Sequence, residues 1–205
     1  MKAEERKRQI LEAAEACFTV QGFHQTTMDD IARKAGISPA LIYRYFTSKE
    51  ELIEAMIGMN SAPRQWFICE LLRFPTINEA LEFFFEVLFR SRVAAQSVPL
   101  LAQLSAEAFR NDSIAELLRK DNAVFFGGFA QMIRQAQSRG QIDPEIPAAD
   151  AAYMLLSFAN GLVSQIALDG AWDRLQDPAF IRLFRRMFSC FLHSNFLDRK
   201  NEEDS

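Results

Sequence analysis

Thr26-Thr27-Met28-Asp29-Asp30-Ile31-Ala32-Arg33-Lys34-Ala35-Gly36-Ile37-Ser38-Pro39-Ala40-Leu41-Ile42-Tyr43-Arg44-Tyr45-Phe46 decides the reading of this chain. The stretch holds two short helical segments with a stop between them. Thr26 or Thr27 caps the first, and Asp29 and Asp30 place carboxylates in its opening turn, where the helix dipole favours them. Gly36 ends that helix by taking a left-handed conformation that other residues avoid. Ser38 caps the second, with Pro39 at its first helical position, where the missing N–H costs nothing. Ile37 fills the angle between them. This is the spacing of a helix-turn-helix, whose second helix enters the DNA major groove. Small Ser38, Pro39 and Ala40 permit close approach there. Tyr43, Arg44 and Tyr45 offer hydroxyl and guanidinium donors, while Leu41, Ile42 and Phe46 face inward.

Outward from this stretch, helical periodicity continues in both directions and strand-like alternation is absent. A first helix over residues 3–21 carries Ile10, Leu11, Ala14, Cys17 and Phe18 on one stripe and stops at Gly22. Ser48-Lys49-Glu50-Glu51 is a capping box that opens a fourth helix. Later helices are expected between Pro63 and Pro75, from Thr76 to about Gln96, from Pro99 to about Arg110, and from Ser113 to about Arg139. Two long ones follow, from Ala148 to Asp169 and from Asp177 to about Leu197. The fold class is all-α, with about nine helices. A three-helix DNA-binding domain over residues 1–55 precedes a helical domain over 56–197, and 198–205 reads as a disordered tail. No Gly/Ser linker separates the domains, so the fourth helix joins them rigidly.

Composition narrows the chemistry. Net charge is −4, but residues 1–50 carry +1 and the rest −5, so the first segment is the less acidic one. The three cysteines, Cys17, Cys69 and Cys190, are scattered, and the two histidines, His24 and His193, lie far apart. A disulfide framework or a metal site is therefore not expected, and neither is a cofactor. No nucleophile is paired with a base, so no catalytic residue is assigned and an enzyme is not expected; a helical enzyme acting on an apolar substrate is the remote alternative. The N-terminus lacks the apolar run of a signal peptide, and the apolar stretches read as shorter than a membrane span, so a cytoplasmic protein with no membrane partner is expected. There are 19 Phe against 3 Tyr and 2 Trp, which favours a thick dry core or an apolar cavity.

Residues 8–52 resemble the DNA-binding domain of the tetracycline-repressor (TetR) family. The matching positions are Arg8, Ile10-Leu11, Ala13-Ala14, Phe18, Gly22-Phe23, Thr26-Thr27-Met28, Ile31-Ala32, Ala35-Gly36, Ser38, Tyr43, Tyr45-Phe46, Ser48-Lys49-Glu50 and Leu52. The resemblance implies a homodimeric transcriptional regulator, usually a repressor, released from a palindromic DNA operator by a small ligand. It implies that Thr27 contacts phosphate, that Ser38, Pro39, Ala40 and Arg44 face the groove, and that Tyr43 and Tyr45 meet phosphate or a base edge. Lys49 would bind phosphate together with the free N–H groups of its helix. Arg44 is the residue assigned to base reading, since arginine to guanine is the commonest specific contact. Arg33 and Lys34 read as a solvated face.

Residues 56–197 carry pattern rather than motif. By the same resemblance the last two helices form a four-helix bundle across a two-fold axis, through Leu155, Ala159, Leu162, Ile166, Phe184, Met187, Phe188 and Phe191. The ligand candidates are Trp66, Phe67, Phe83, Phe84, Phe109, Phe125, Phe126, Met132 and Phe158, each of which also suits simple core packing. Such a set implies an apolar or aromatic effector. Gly127-Gly128 could make room for it or let helices touch. Glu107 could select a cationic ligand or lie on the surface. A DNA-binding regulator without a small-molecule ligand is the alternative reading.

Overall fold

The computed structural model describes residues 3–59, 61–90 and 92–192, with side-chain environments for all of these except 61–62, 89–90, 92–97 and 189–192. The described residues contain helices and no strand. The helices are α1 (Ala3–Gln21), α2 (Met28–Lys34), α3 (Pro39–Ile42), α4 (Lys49–Met59), α5 (Ser61–Leu71) and α6 (Ile77–Arg90). They continue with α7 (Arg92–Ala108), α8 (Asp112–Ser138), α9 (Ala148–Asp169) and α10 (Pro178–Leu192), and a 3-10 helix, Trp172–Gln176, precedes α10. The expected tail at 198–205 and the side chain of Phe191 lie outside the described residues.

Two compact units form. Among the described residues, the first lies within 3–64 together with 96–122, and the second within 65–95 and 123–192. This differs from a division near residue 55. The reason is burial: Leu104 of α7 and Ile114 of α8, at 4% and 0% exposure, complete the core built by Ile10, Phe18, Ile31, Ile42 and Leu52. Local periodicity showed that these helices have apolar faces, but not which core those faces enter. α7 also begins seven residues before Pro99, which sits inside the helix. A proline removes one hydrogen bond and kinks a helix without ending it when neighbouring packing holds both halves.

The second unit is built on aromatic packing. Phe129, fully buried, lies 5.1 Å from Phe84, 5.2 Å from Phe125 and 6.2 Å from Phe67, measured between ring centroids. Phe85 meets Phe184 edge-on at 4.9 Å, which ties α6 to α10. α9 contributes Ala151, Ala152, Leu155, Leu156, Ala159 and Ile166 to this core. By length and composition α9 is apolar enough to cross a membrane, contrary to the sequence expectation, with 39% of its apolar window buried inside the protein. One such helix carries little weight, and here its buried face accounts for much of the apolar content.

Several residues expected at a subunit interface are instead committed to this core. Leu155, Ala159, Ile166, Phe184 and Phe188 are each 6% exposed or less. Leu162 is half-buried, and Met187 is exposed. A stripe at helical spacing does not distinguish a helix's own core from a partner's surface. Among the described residues, the large exposed apolar side chains of α9 and α10 are Tyr153, Met154, Phe158, Leu168, Leu183 and Met187.

Gly127 and Gly128 separate in role. A Cβ on Gly128 would stand 2.6 Å from Ile68 side-chain carbons, whereas one on Gly127 would meet nothing. Gly128 thus lets α8 close on α5. Gly128→Ala should destabilise by about 1–3 kcal/mol, because Ile68 must move. Gly127→Ala should stabilise by about 0.5–1 kcal/mol through helix propensity. Urea unfolding of the two variants checks this, and shifts of the same sign would contradict the packing role.

Candidate nucleic-acid interface

Recognition of DNA by a short helix requires that one face be fixed and the other free. α2 supplies the fixed reference. Thr27 is its N-cap: Asp30 N donates to Thr27 Oγ1 at 3.1 Å, and Thr27 N donates to Asp30 Oδ2 at 3.0 Å. The Thr27 hydroxyl also donates to Asp30 Oδ2 at 2.6 Å. These donors from Thr27 hold the Asp30 carboxyl below its ordinary value. At the other end, Ile37 N donates to Ala32 O at 3.0 Å and Gly36 N to Arg33 O at 3.2 Å. Both bonds belong to the C-terminal motif that a left-handed glycine makes, and Gly36 has φ +66°. Gln9 of α1 donates to the Ala35 carbonyl at 2.6 Å and pins the turn from outside.

α3 follows with Ile42 fully buried and Phe46 at 4% exposure. Its α-helical ladder ends at Ile42, earlier than the expected Phe46. Arg44 N→Leu41 O at 3.2 Å and Tyr45 N→Ile42 O at 2.9 Å then tighten the chain into a narrower turn. Ser38, Pro39, Ala40, Tyr43 and Arg44 are all exposed on this segment. The Ser38 hydroxyl makes no capping bond. Among the described residues none accepts a hydrogen bond from the Arg44 guanidinium. Tyr45 is half-buried against the core, so its ring is a support with an accessible edge. Leu41 is only half-buried.

α4 opens beside this segment in sequence. Glu51 N donates to Ser48 Oγ at 3.2 Å, while Glu51 Oε2 accepts from Thr47 N at 2.6 Å and Thr47 Oγ1 at 2.8 Å. The capping box is thus shifted by one residue on its return side. These Thr47 donors hold the Glu51 carboxyl below its ordinary value. Lys49 is already engaged: its Nζ donates to Phe23 O at 2.7 Å and lies 4.3 Å from the Phe23 ring centroid. An ammonium carries three donors, so two remain. Arg33 pairs with Asp30 along α2. The thiol of Cys17 is buried in α1, and that burial pushes its pKa up, which suits inert packing.

The first unit therefore brings Thr27, Ser38, Pro39, Ala40, Tyr43, Arg44, Tyr45 and Lys49 into one domain. The ligand candidates are dispersed more widely. Phe67, Phe84 and Met132 are buried in the second unit, with Phe83, Phe125 and Phe126 partly buried. Phe67 stacks on Phe83 at 5.3 Å and on Phe125 at 6.0 Å, and Trp66 meets Phe83 edge-on at 6.5 Å while 59% exposed. Phe126 stacks on Tyr153, and Phe158 contacts Phe184 and Phe188. Phe109 belongs to the first unit and is 90% exposed. Glu107, read as a surface or ligand-selecting residue, is instead buried in the first unit beside His24. An open cleft of about 1000 Å³ in the second unit is lined by Phe74, Glu82, Phe83, Phe85, Ile181 and Arg185 among others, and shares only Phe83 with the candidate set. Among the described residues no group of three or more His, Cys, Asp or Glu is placed to hold a metal ion.

A capped α2, a left-handed glycine turn and an α3 with one buried and one free face define a helix-turn-helix DNA-binding protein. Residues 10–56 match the family model of bacterial regulatory proteins of the tetR family, and residues 78–190 match the C-terminal domain of BetI-type transcriptional repressors. The chain belongs to the TetR family of transcriptional regulators. It is 29% identical over 194 residues to the HTH-type transcriptional regulator UidR of Escherichia coli K12, covering 93% of this chain and 94% of that one. The structure of Salmonella enterica GusR is similar with a TM-score of 0.80 at 26% identity, covering 94% of this chain and 97% of that one. The regulator FadR of Bacillus subtilis, in complex with stearoyl-CoA, is similar with a TM-score of 0.69 at 17% identity, covering 92% and 98%. That last likeness is one of fold.

Proposed function

We propose that the protein is a homodimeric repressor that binds a palindromic operator and leaves it when a small apolar ligand enters the second unit. The observation that carries the DNA half is the division of α3. Ile42, with Phe46 just beyond the helix, is locked in the core, and Ser38, Pro39, Ala40, Tyr43 and Arg44 stand free. Arg44 reads a base edge, Tyr43 meets phosphate, Thr27 meets phosphate once its hydroxyl turns away from Asp30, and Lys49 uses a remaining N–H on phosphate while holding the Phe23 carbonyl. On this reading the protein works in the cytoplasm, where its DNA target lies.

Arg44→Ala should relax sequence preference at one base pair at a cost of about 1–3 kcal/mol. Lys49→Ala should weaken binding to every duplex alike and lower the salt slope by about one. Titration of duplexes selected from a random pool, at several salt concentrations, separates the two. Equal losses for both variants on selected and random DNA would overturn the division of roles.

The ligand reading is supported by the Phe67, Phe83, Phe84, Phe125 and Met132 cluster, which is apolar and spread over α5, α6 and α8. FadR of Bacillus subtilis, with stearoyl-CoA bound, shares the fold. An acyl-CoA series added to the selected duplex complex should release DNA, with longer chains acting at lower concentration. A second reading follows from how closely these rings stack: DNA binding without a small-molecule effector. Retention of the complex across acyl-CoA and neutral aromatic compounds would decide for it.

The dimer reading moves to the exposed apolar face of α9 and α10, namely Met154, Phe158, Leu168, Leu183 and Met187. A soluble monomer rarely leaves so many large apolar side chains on two adjacent elements. Leu183→Asp together with Met187→Asp should shift the protein to monomer in sedimentation without lowering its helix content. A dimer that persists unchanged in the double variant would contradict this placement.

A further inference from the structure

We propose that Glu107 is a positioning residue for DNA binding, which sets operator affinity by holding the turn that opens α2 and never touches DNA itself. Among the described residues Glu107 is the one buried charged side chain, at 5% exposure. Its Oε2 stands 2.8 Å from His24 Nε2, and the His24 side chain is 64% exposed. A carboxylate held away from water needs a partner that offsets its lost hydration. Here that partner is a side chain of the α1–α2 turn.

The contact is broader than one pair. Gln103 lies one helical turn before Glu107 on the same face of α7. Its Oε1 comes within 3.3 Å of where a Cβ on Gly22 would stand, and Gly22 has φ +79°. Two polar side chains of α7 therefore address Gly22 and His24. The same turn is gripped by Lys49 at the Phe23 carbonyl. From Gly22 the link passes to Thr26, whose buried hydroxyl donates to Gly22 O at 2.8 Å. Thr27, the N-cap of α2, comes next in the chain.

The corner that carries Glu107 is stiff. Its backbone carbonyl accepts from Arg110 N and Asn111 N, each at 2.9 Å. Asn111 Oδ1 then accepts from Ser113 N at 3.1 Å and starts α8. Leu104 and Ile114 fix both arms of the corner in the core of the first unit. α7 itself begins among residues assigned to the second unit. A buried carboxylate at the far end of α7 thus determines where Thr27 and α2 are held. The proposal rests on DNA binding and not on the ligand reading.

The test uses the full chain and a duplex enriched from a random pool by the wild type. Glu107→Leu keeps the volume and removes the buried charge, so its melting temperature should stay level or rise. Its Kd for the duplex should nevertheless rise about tenfold, within the usual range of couplings between sites. His24→Ala leaves the buried Glu107 carboxylate without that partner, so the variant's melting temperature should fall, and at a temperature where it is fully folded it should lose the same affinity; the double variant should lose no more than either single one. Kd values within about twofold of wild type for both single variants, or losses that add in the double variant, would overturn the proposal. For Glu107→Leu, an affinity loss that appears only together with a lowered melting temperature would overturn it as well. If the wild type enriches no duplex at all, DNA binding itself fails and the proposal goes with it, an outcome distinct from wild-type binding that the variants share.

Discussion

The fixed burial of Ile42 and Phe46 is the constraint on which the first unit depends. α3 is four residues long, too short to hold its own shape in water, because helix nucleation is costly and few hydrogen bonds follow. Its orientation comes from outside. Ile42 at 0% and Phe46 at 4% exposure enter a core already closed by Ile10, Phe18 and Ile31. Once those two side chains are placed, the pitch of the helix leaves Pro39, Ala40, Tyr43 and Arg44 no direction except solvent. The reading face is thus a by-product of packing.

Much of this was legible in the sequence because the devices are local. Thr27 to Asp30, Ala35 to Ile37 and Ser48 to Glu51 each span a few residues, and their side-chain chemistry selects one backbone geometry. α1, α8 and α9 fell near their expected positions for the same reason. The end of α3 and the start of α7 did not. Tyr43, Arg44 and Tyr45 have acceptable helix propensity, and only tertiary packing draws them into a tighter turn. Pro99 reads as a start signal, yet the structure carries the helix through it.

Apolar stripes were legible as stripes and not as destinations. Leu155, Ala159, Ile166, Phe184 and Phe188 have the spacing of an interface and the burial of a core. The face left over, with Met154 and Phe158 on α9 and Leu183 and Met187 on α10, has the same i,i+4 spacing. Periodicity reports that a side of a helix avoids water, and it carries no label for what replaces the water. The same holds for the phenylalanines: Phe67, Phe129 and Phe84 fill space in the second unit, while Phe109, of identical chemistry, is 90% exposed.

Polar anchors over long sequence distances are where sequence reasoning had least purchase. Gln9 reaches the Ala35 carbonyl, Lys49 reaches the Phe23 carbonyl, and Glu107 reaches His24. None of these residues belongs to a spacing rule that names its partner. Each joins a helix to one of the two turns that flank α2. Hydrophobic burial is non-directional and tolerates small slides of one helix over another, whereas a hydrogen bond or ion pair weakens steeply with distance and angle. The apolar core therefore brings α1, α2, α3 and α7 together, and the polar anchors set the register in which they stop. A DNA-reading element needs that second kind of constraint, since its donors must meet base edges within a few tenths of an ångström.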